Sequence, residues 1–191
     1  LPEAPRARLR ALLEFSVEGC LRHRVPTSYT NISLMNAANL ILLGENLDNP
    51  KAADEGYRRL DQIALYTYQW GIHEYGSPTY YGADLDDLVV LEQFCKRAVG
   101  KQAARALLGL FWRDLAANWF APAQKLAGAR SRDYDYLRGL GYLDEALLHL
   151  LCDWRPAAKR SNGTRSRTLG WCARAGARPS SSRGRTLCCP A

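Results

Sequence analysis

Residues 28–71 read "SYTNISLMNAANLILLGENLDNPKAADEGYRRLDQIALYTYQWG", and two helices of opposite character follow one another inside them. The first, 28–43, carries no charged side chain and is apolar around its whole circumference, so it must be covered on several sides. The second opens at Asn49-Pro50, a capping residue followed by proline at the first helical position. It runs to Trp70 with Tyr57, Leu60, Ile63, Ala64 and Thr67 on one stripe, and Lys51, Asp54, Glu55, Arg58 and Asp61 on the other face. An inner helix paired with an outer one is a helical hairpin.

The same logic extends in both directions. Upstream, 6–22 places Leu9, Leu12, Ser16, Val17 and Cys20 on one stripe and predicts another outer helix. Downstream, Ser77-Pro78 opens a helix carrying Leu85, Leu88, Leu91, Phe94 and Cys95. A further helix over 101–120 buries Ala104, Leu107, Leu108, Phe111 and Leu115, and a sixth covers 136–152. Strand patterns are absent, and Gly44, Gly71 and Gly100 are expected to terminate the second, third and fourth helices in left-handed conformations. The reading is all-α: antiparallel helical hairpins, about three of them, over 1–154.

The 191 residues carry 26 Lys and Arg against 19 Asp and Glu. Nine of the basic residues and none of the acidic ones lie from Arg155 onward, leaving 17 basic against 19 acidic residues in 1–154. The basic balance belongs to the segment 155–191 alone. That segment has no helical or alternating period, and its composition predicts disorder or an aberrant, out-of-frame end. No groove-reading motif accompanies its charge, so nucleic-acid binding is not expected. Cys20, Cys95 and Cys152 are far apart in apolar stretches, and neither CxxC nor a Cys/His zinc spacing occurs; buried thiols, no metal and no cofactor are expected. The longest apolar run, "LMNAANLILL", is about half the ~20 residues needed to span a bilayer, so no transmembrane segment is expected. The sequon at Asn31 falls within a helix and is not read as a glycosylation acceptor.

The connections carry the functional signal. The links "GENLDNP" and Gly100 are spare, whereas "RHRVPTS", "GIHEYGSPT" and "APAQKLAGARSRDYD" are rich in His, Arg, Tyr, Asp and Pro. In antiparallel helices alternate connections lie at the same end, so these three should share one face. A weak repeat agrees: "PTSY", "PTYY" and "SRDY" put Tyr29, Tyr81 and Tyr134 at spacings of 52 and 53 residues, each where a long connection becomes a helix.

"EYGSPTYYGADL", Glu74 to Leu85, resembles the E-[YW]-x-SPTYYG-x-x-L signature of α/α-toroid proteins of the heparinase, alginate lyase and six-hairpin glycosidase kind. "NWFAP…LAGARSRDYDYL", Asn118 to Leu137, is similar to the segment that follows it in them. The likeness spans roughly residues 25–150, and three hairpins are half of a six-hairpin ring, which implies a partial domain. The resemblance implies a partner that is a poly- or oligosaccharide and, for a polysaccharide-active protein, a secreted or extracytoplasmic location.

Lyase-type cleavage of uronate-containing glycans is the favoured expectation. It needs a base, an acid and a group that neutralises the carboxylate, and the resemblance implies tyrosine and histidine for the proton work. His73, Tyr80 and Tyr81 are the candidates, with Asn31 and Arg132 for the carboxylate. An ordinary imidazole titrates near ~6.5, whereas a phenol near ~10 needs a cation such as Arg132 beside it. The alternative is a glycoside hydrolase, which needs two carboxylates about 5–9 Å apart. Glu74 and Asp133 are its candidates, with Asp84 as substitute; Asp84, Asp86 and Asp87 otherwise read as complements to a helix dipole. Trp70, Tyr75 and Tyr134, with Trp119 nearby, offer flat faces on which a sugar can stack. A third reading, a non-catalytic helical-repeat scaffold, predicts binding along helix faces instead of in the connections.

Overall fold

The computed structural model describes residues 2–123, 125–132 and 143. All of these belong to one compact unit, Leu1–Leu148; the second unit, His149–Ala191, holds none of them. The described residues form five helices: α1 (Glu3–Arg22), α2 (Thr30–Asn46), α3 (Pro50–Trp70), α4 (Pro78–Phe94) and α5 (Ala98–Asn118). Of the sixth expected helix only Leu143 is described, and it is buried in the core; the rest of that helix, with Cys152, and the segment 155–191 lie outside the described residues.

The helices pack in pairs, as the hairpin pattern predicts. Along α2 and α3, Gly44 faces Ala53, Gly56 faces Ile41, and Asn36 meets Arg59, so the two run antiparallel. Along α4 and α5, Tyr81 meets Asp114 and Glu92 meets Arg105, again antiparallel. By contrast α2 and α4 run side by side in one direction: Glu74, just before α4, touches Asn31 at the start of α2, and Glu45 and Lys96 meet at the other end. The apolar α2 and α4 are thus inner helices, flanked by α1, α3 and α5. Leu34, Ile41, Leu60, Ile63, Leu88, Leu91, Leu107 and Phe111 fill the core between them, each almost wholly buried.

Local chemistry fixes the ends. Asn49 Oδ1 accepts from Ala52 N at 3.1 Å, and Ser77 Oγ accepts from Tyr80 N at 3.4 Å, each with proline at the first helical position. Gly71 closes α3 at φ 81°, the left-handed region that glycine enters without a Cβ penalty.

Several expectations are corrected. Gly44 lies inside α2 and Gly100 inside α5, so neither terminates a helix; Asp48, at φ 55°, takes the left-handed position after α2. The two glycines serve close packing: a Cβ on Gly44 would stand 2.4 Å from Ala53 N, and one on Gly100 2.3 Å from the Tyr57 ring. Along α1, Leu9, Leu12 and Ser16 are exposed, and only Val17 is fully buried, because the C-terminal half alone, through Val17, Cys20 and Leu21, meets Leu40 and Ala52. Phe94 is exposed at the last turn of α4. Strand structure also exists: β1 (Trp119–Phe120) and β2 (Lys125–Leu126) form a two-residue antiparallel ladder after α5, where a continuing helix was expected. Cys20 is partly buried and Cys95 buried, both as free thiols whose titration burial pushes up.

Candidate functional site

The three residue-rich connections meet at one end of the helices. Asn31 N, in the first turn of α2, donates to Glu74 Oε2 at 3.0 Å, joining the first connection to the second. Ser131 N donates to Tyr75 O at 3.0 Å, and Ser77 Oγ donates to Arg132 O, joining the second to the third. The Arg132 guanidinium lies 5.0 Å over the Tyr29 ring, joining the third to the first. Meanwhile the two spare connections meet at the opposite end, where Lys96 N donates to Glu45 Oε2 at 2.8 Å.

On this rim the expected residues separate into an exposed set and a buried set. His73 is exposed, and its Nε2 is 3.0 Å from the Tyr66 hydroxyl, with the rings 4.9 Å apart. Trp70, Tyr75 and Tyr29 are exposed as well, and Tyr80 is half-buried. Tyr66 was not singled out from the sequence. Its signal is its place seven residues before His73, across the Gly71 terminus that folds the chain back.

Tyr81 is on the other side of the division. It is wholly buried against Phe111, and its hydroxyl donates to Asp114 Oδ2 at 2.6 Å. Burial first, and the Asp114 carboxylate second, push its phenol well above the usual range. A proton-abstracting tyrosine needs the opposite shift, and the expected cation, Arg132, sits over Tyr29. Tyr81 therefore reads as a core residue. It was legible as one, because Tyr81, Leu85, Leu88 and Leu91 share one helical stripe.

Beneath the exposed set lies a buried acidic group. Glu74 is 4% exposed; Oε2 caps α2, and Oε1 has no hydrogen-bond partner. Asp84 is fully buried with neither oxygen partnered, and Asp87 Oδ2, Asn31 Oδ1 and Ser131 Oγ are likewise buried without partners. Desolvation pushes the Asp84 carboxyl well above the carboxylate range, with the charges of Glu74 and Asp87 adding to it. Desolvation, followed by Asp86, raises Asp87 to about 7. The reading of Asp84 and Asp87 as dipole complements is thus corrected: α4 starts at Pro78 and has no acidic residue in its first turn, and the dipole's effect fades beyond that turn. Asn31, expected at a substrate carboxylate, is held by Glu74 instead, with its side-chain oxygen buried. Asp133 and Tyr134 lie outside the described residues.

Among the described residues no three His, Cys, Asp or Glu side chains are grouped to hold a metal ion, and no helix is long and apolar enough to cross a membrane.

These features define an all-α hairpin domain with a polar, aromatic rim at one end and plain turns at the other. The chain belongs to a family described as a domain of unknown function (DUF8769), whose family model matches residues 15–151, well over half of its length. No curated protein and no solved structure matches it.

Proposed function

We propose that this chain is a polysaccharide-processing or polysaccharide-binding domain of the α/α-toroid kind, acting by lyase-type cleavage of a uronate-containing glycan. The observation that carries the proposal is the convergence of three connections on one rim. On that rim Tyr29, Trp70 and Tyr75 are exposed, and His73 and Tyr66 form a solvent-facing hydrogen-bonded pair. Flat rings with polar edges suit sugar faces, and an imidazole hydrogen-bonded to a phenol suits proton transfer.

In the tautomer where His73 Nε2–H donates to the Tyr66 oxygen, Nδ1 keeps its lone pair and takes the proton next to the uronate carboxylate. The released electron pair forms the new C=C bond as the glycosidic C–O bond breaks, and the leaving oxygen is protonated by a phenol of the rim. Tyr66 and the half-buried Tyr80 are the phenols available for this, and Arg132 is the cation at hand for the carboxylate. Tyr81 has no part in the step.

Hydrolysis on the same rim is the second reading. It is favoured by one observation, the buried Asp84 whose carboxyl desolvation, then the charges of Glu74 and Asp87, push well above the carboxylate range, since a hydrolase uses a raised acid together with a second carboxylate.

The test is incubation with uronate-containing and neutral glycans, following unsaturated product by absorbance and new reducing ends by colorimetry. Lyase action predicts both signals on uronate glycans, and His73→Ala lowers them at least a hundredfold, in keeping with the usual ~10²–10⁴ contribution of a general base. Reducing ends without the unsaturated chromophore would transfer the assignment to Asp84 and Glu74. Undiminished cleavage by His73→Ala would remove His73 from the mechanism.

A further inference from the structure

A cavity of about 270 Å³ opens beside the first connection, outside the rim contacts described above. Arg24 and Thr27 line it from that connection, Ser33 from α2, and Arg58, Arg59 and Gln62 from α3. It is close to the ~300 Å³ lower bound for small-ligand sites. Three guanidiniums border it, and their roles differ.

Arg59 is structural. Its side chain is 12% exposed, and it donates to the main-chain oxygens of Cys20, Leu21 and His23 at 3.1–3.2 Å, to Asn36 Oδ1, and to Glu55 at 2.8 Å. It thereby ties the C-terminal carbonyls of α1 to α2 and α3, where a cation also complements the helix dipole.

Arg58 is half-exposed and meets Glu55 through Nε and one terminal nitrogen, at 2.7 and 2.8 Å, which leaves Nη1 unengaged. Glu55 is the one carboxylate serving both arginines, and their hydrogen bonds lower it to about 2. Arg24 has no hydrogen-bond or ion-pair partner among the described residues. Ser33 is 6% exposed, and its hydroxyl is likewise without a protein partner there, as are the side chains of Thr27 and Gln62.

One carboxylate among three arginines leaves the cavity with a surplus of positive charge, lined by donors that the fold does not use. The guanidinium's planar set of N–H groups matches the oxygens of a carboxylate, sulfate or phosphate.

We propose that this cavity binds an oxyanion group on a small ligand or sugar residue, with Arg24 and Arg58 as its binding charges and Ser33 and Gln62 as neutral hydrogen-bond partners. Arg59 is the fixed wall that positions them. The inference concerns the cavity alone and stands whether or not the rim cleaves glycans.

The experiment titrates the full chain with inorganic sulfate, inorganic phosphate, glucuronate and glucose at constant ionic strength, using chloride as the control, and reads heat or amide shifts. Saturable binding of at least one oxyanion probe and none of glucose is expected. Arg24→Gln and Arg58→Gln, both at exposed positions, should each raise its Kd at least tenfold. Tighter binding of glucuronate than of sulfate or phosphate would mark the natural ligand as a carboxylate sugar; the reverse order would mark an ester. Absence of binding above the chloride control, or equal binding by the two arginine variants and the parent, would overturn the proposal.

Discussion

Replacing Asp87 by Asn should stabilise the protein in alkaline buffer and leave it nearly unchanged in acid. The Asp87 carboxyl is raised from 3.8 to about 7, mostly by desolvation. Because the folded chain holds a proton that the unfolded chain releases above ~4, stability from this group is greatest below that pH. It falls as pH rises and levels off above about 7. A span of about three pH units at ~1.36 kcal/mol each sets an upper limit of about 4 kcal/mol. From pH 5 to pH 8 the loss is about 2–3 kcal/mol, a sizeable part of the ~5–15 kcal/mol that usually holds a domain together. Asp84 acts in the same direction, and its titration is coupled to that of Asp87, so removing one charge also eases the other. Urea unfolding at pH 4, 5, 6, 7 and 8 measures this. With a slope of ~1–3 kcal/mol per molar, the parent midpoint should drop by about 1–3 M between pH 5 and 8, and Asp87→Asn should recover at least half of the drop. A midpoint independent of pH, or an Asn variant no more stable than the parent at pH 8, would show that the fold does not hold Asp87 protonated.

Two glycine substitutions should act with opposite sign in thermal melts. Gly44→Ala brings a methyl to 2.4 Å from Ala53 N and should cost about 1–3 kcal/mol through overpacking, despite gaining ~1 kcal/mol in helix propensity. Gly19→Ala, with nothing within 4 Å of the added carbon, should raise the melting point by that propensity alone, and a rise for Gly44→Ala would contradict the close α2–α3 approach. Tyr81→Phe removes the hydroxyl bond to Asp114 and should cost about 1 kcal/mol in urea unfolding while leaving any glycan cleavage at the parental rate. Lost cleavage in a Tyr81→Phe variant that remains folded would return that tyrosine to the chemistry.

The hairpin architecture was legible because local rules and burial agree along α3: its cap, its proline and its stripe of Tyr57, Leu60, Ile63 and Thr67 all appear as the sequence predicts. The shared rim was legible too, since alternation of connections follows from antiparallel packing alone. What failed depends on how closely helices approach. Gly44 and Gly100 resemble terminators in sequence, and only the distance to Ala53 and Tyr57 reveals them as packing glycines. Between adjacent tyrosines 80 and 81, roughly 100° apart around the helix, composition gives no preference. The stripe shared by Tyr81, Leu85 and Leu88 does, and Asp84, three residues from Tyr81 and four from Leu88, lies in phase with it. Its burial was therefore available in the pattern, but a carboxylate on an inward stripe contradicts the rule that unpaired charges stay outside. The Tyr66–His73 pair depends on the path of the chain through Gly71, which spacing does not supply.

Glycan binding at the proposed rim is measured by amide and aromatic NMR of the labelled chain titrated with a uronate oligosaccharide. Binding there gives saturable shifts at Tyr29, Tyr66, Trp70, His73 and Tyr75, with Asp48, Asn49 and Lys96 at the opposite end unmoved. Shifts confined to that opposite end, or none at saturating oligosaccharide, would contradict it.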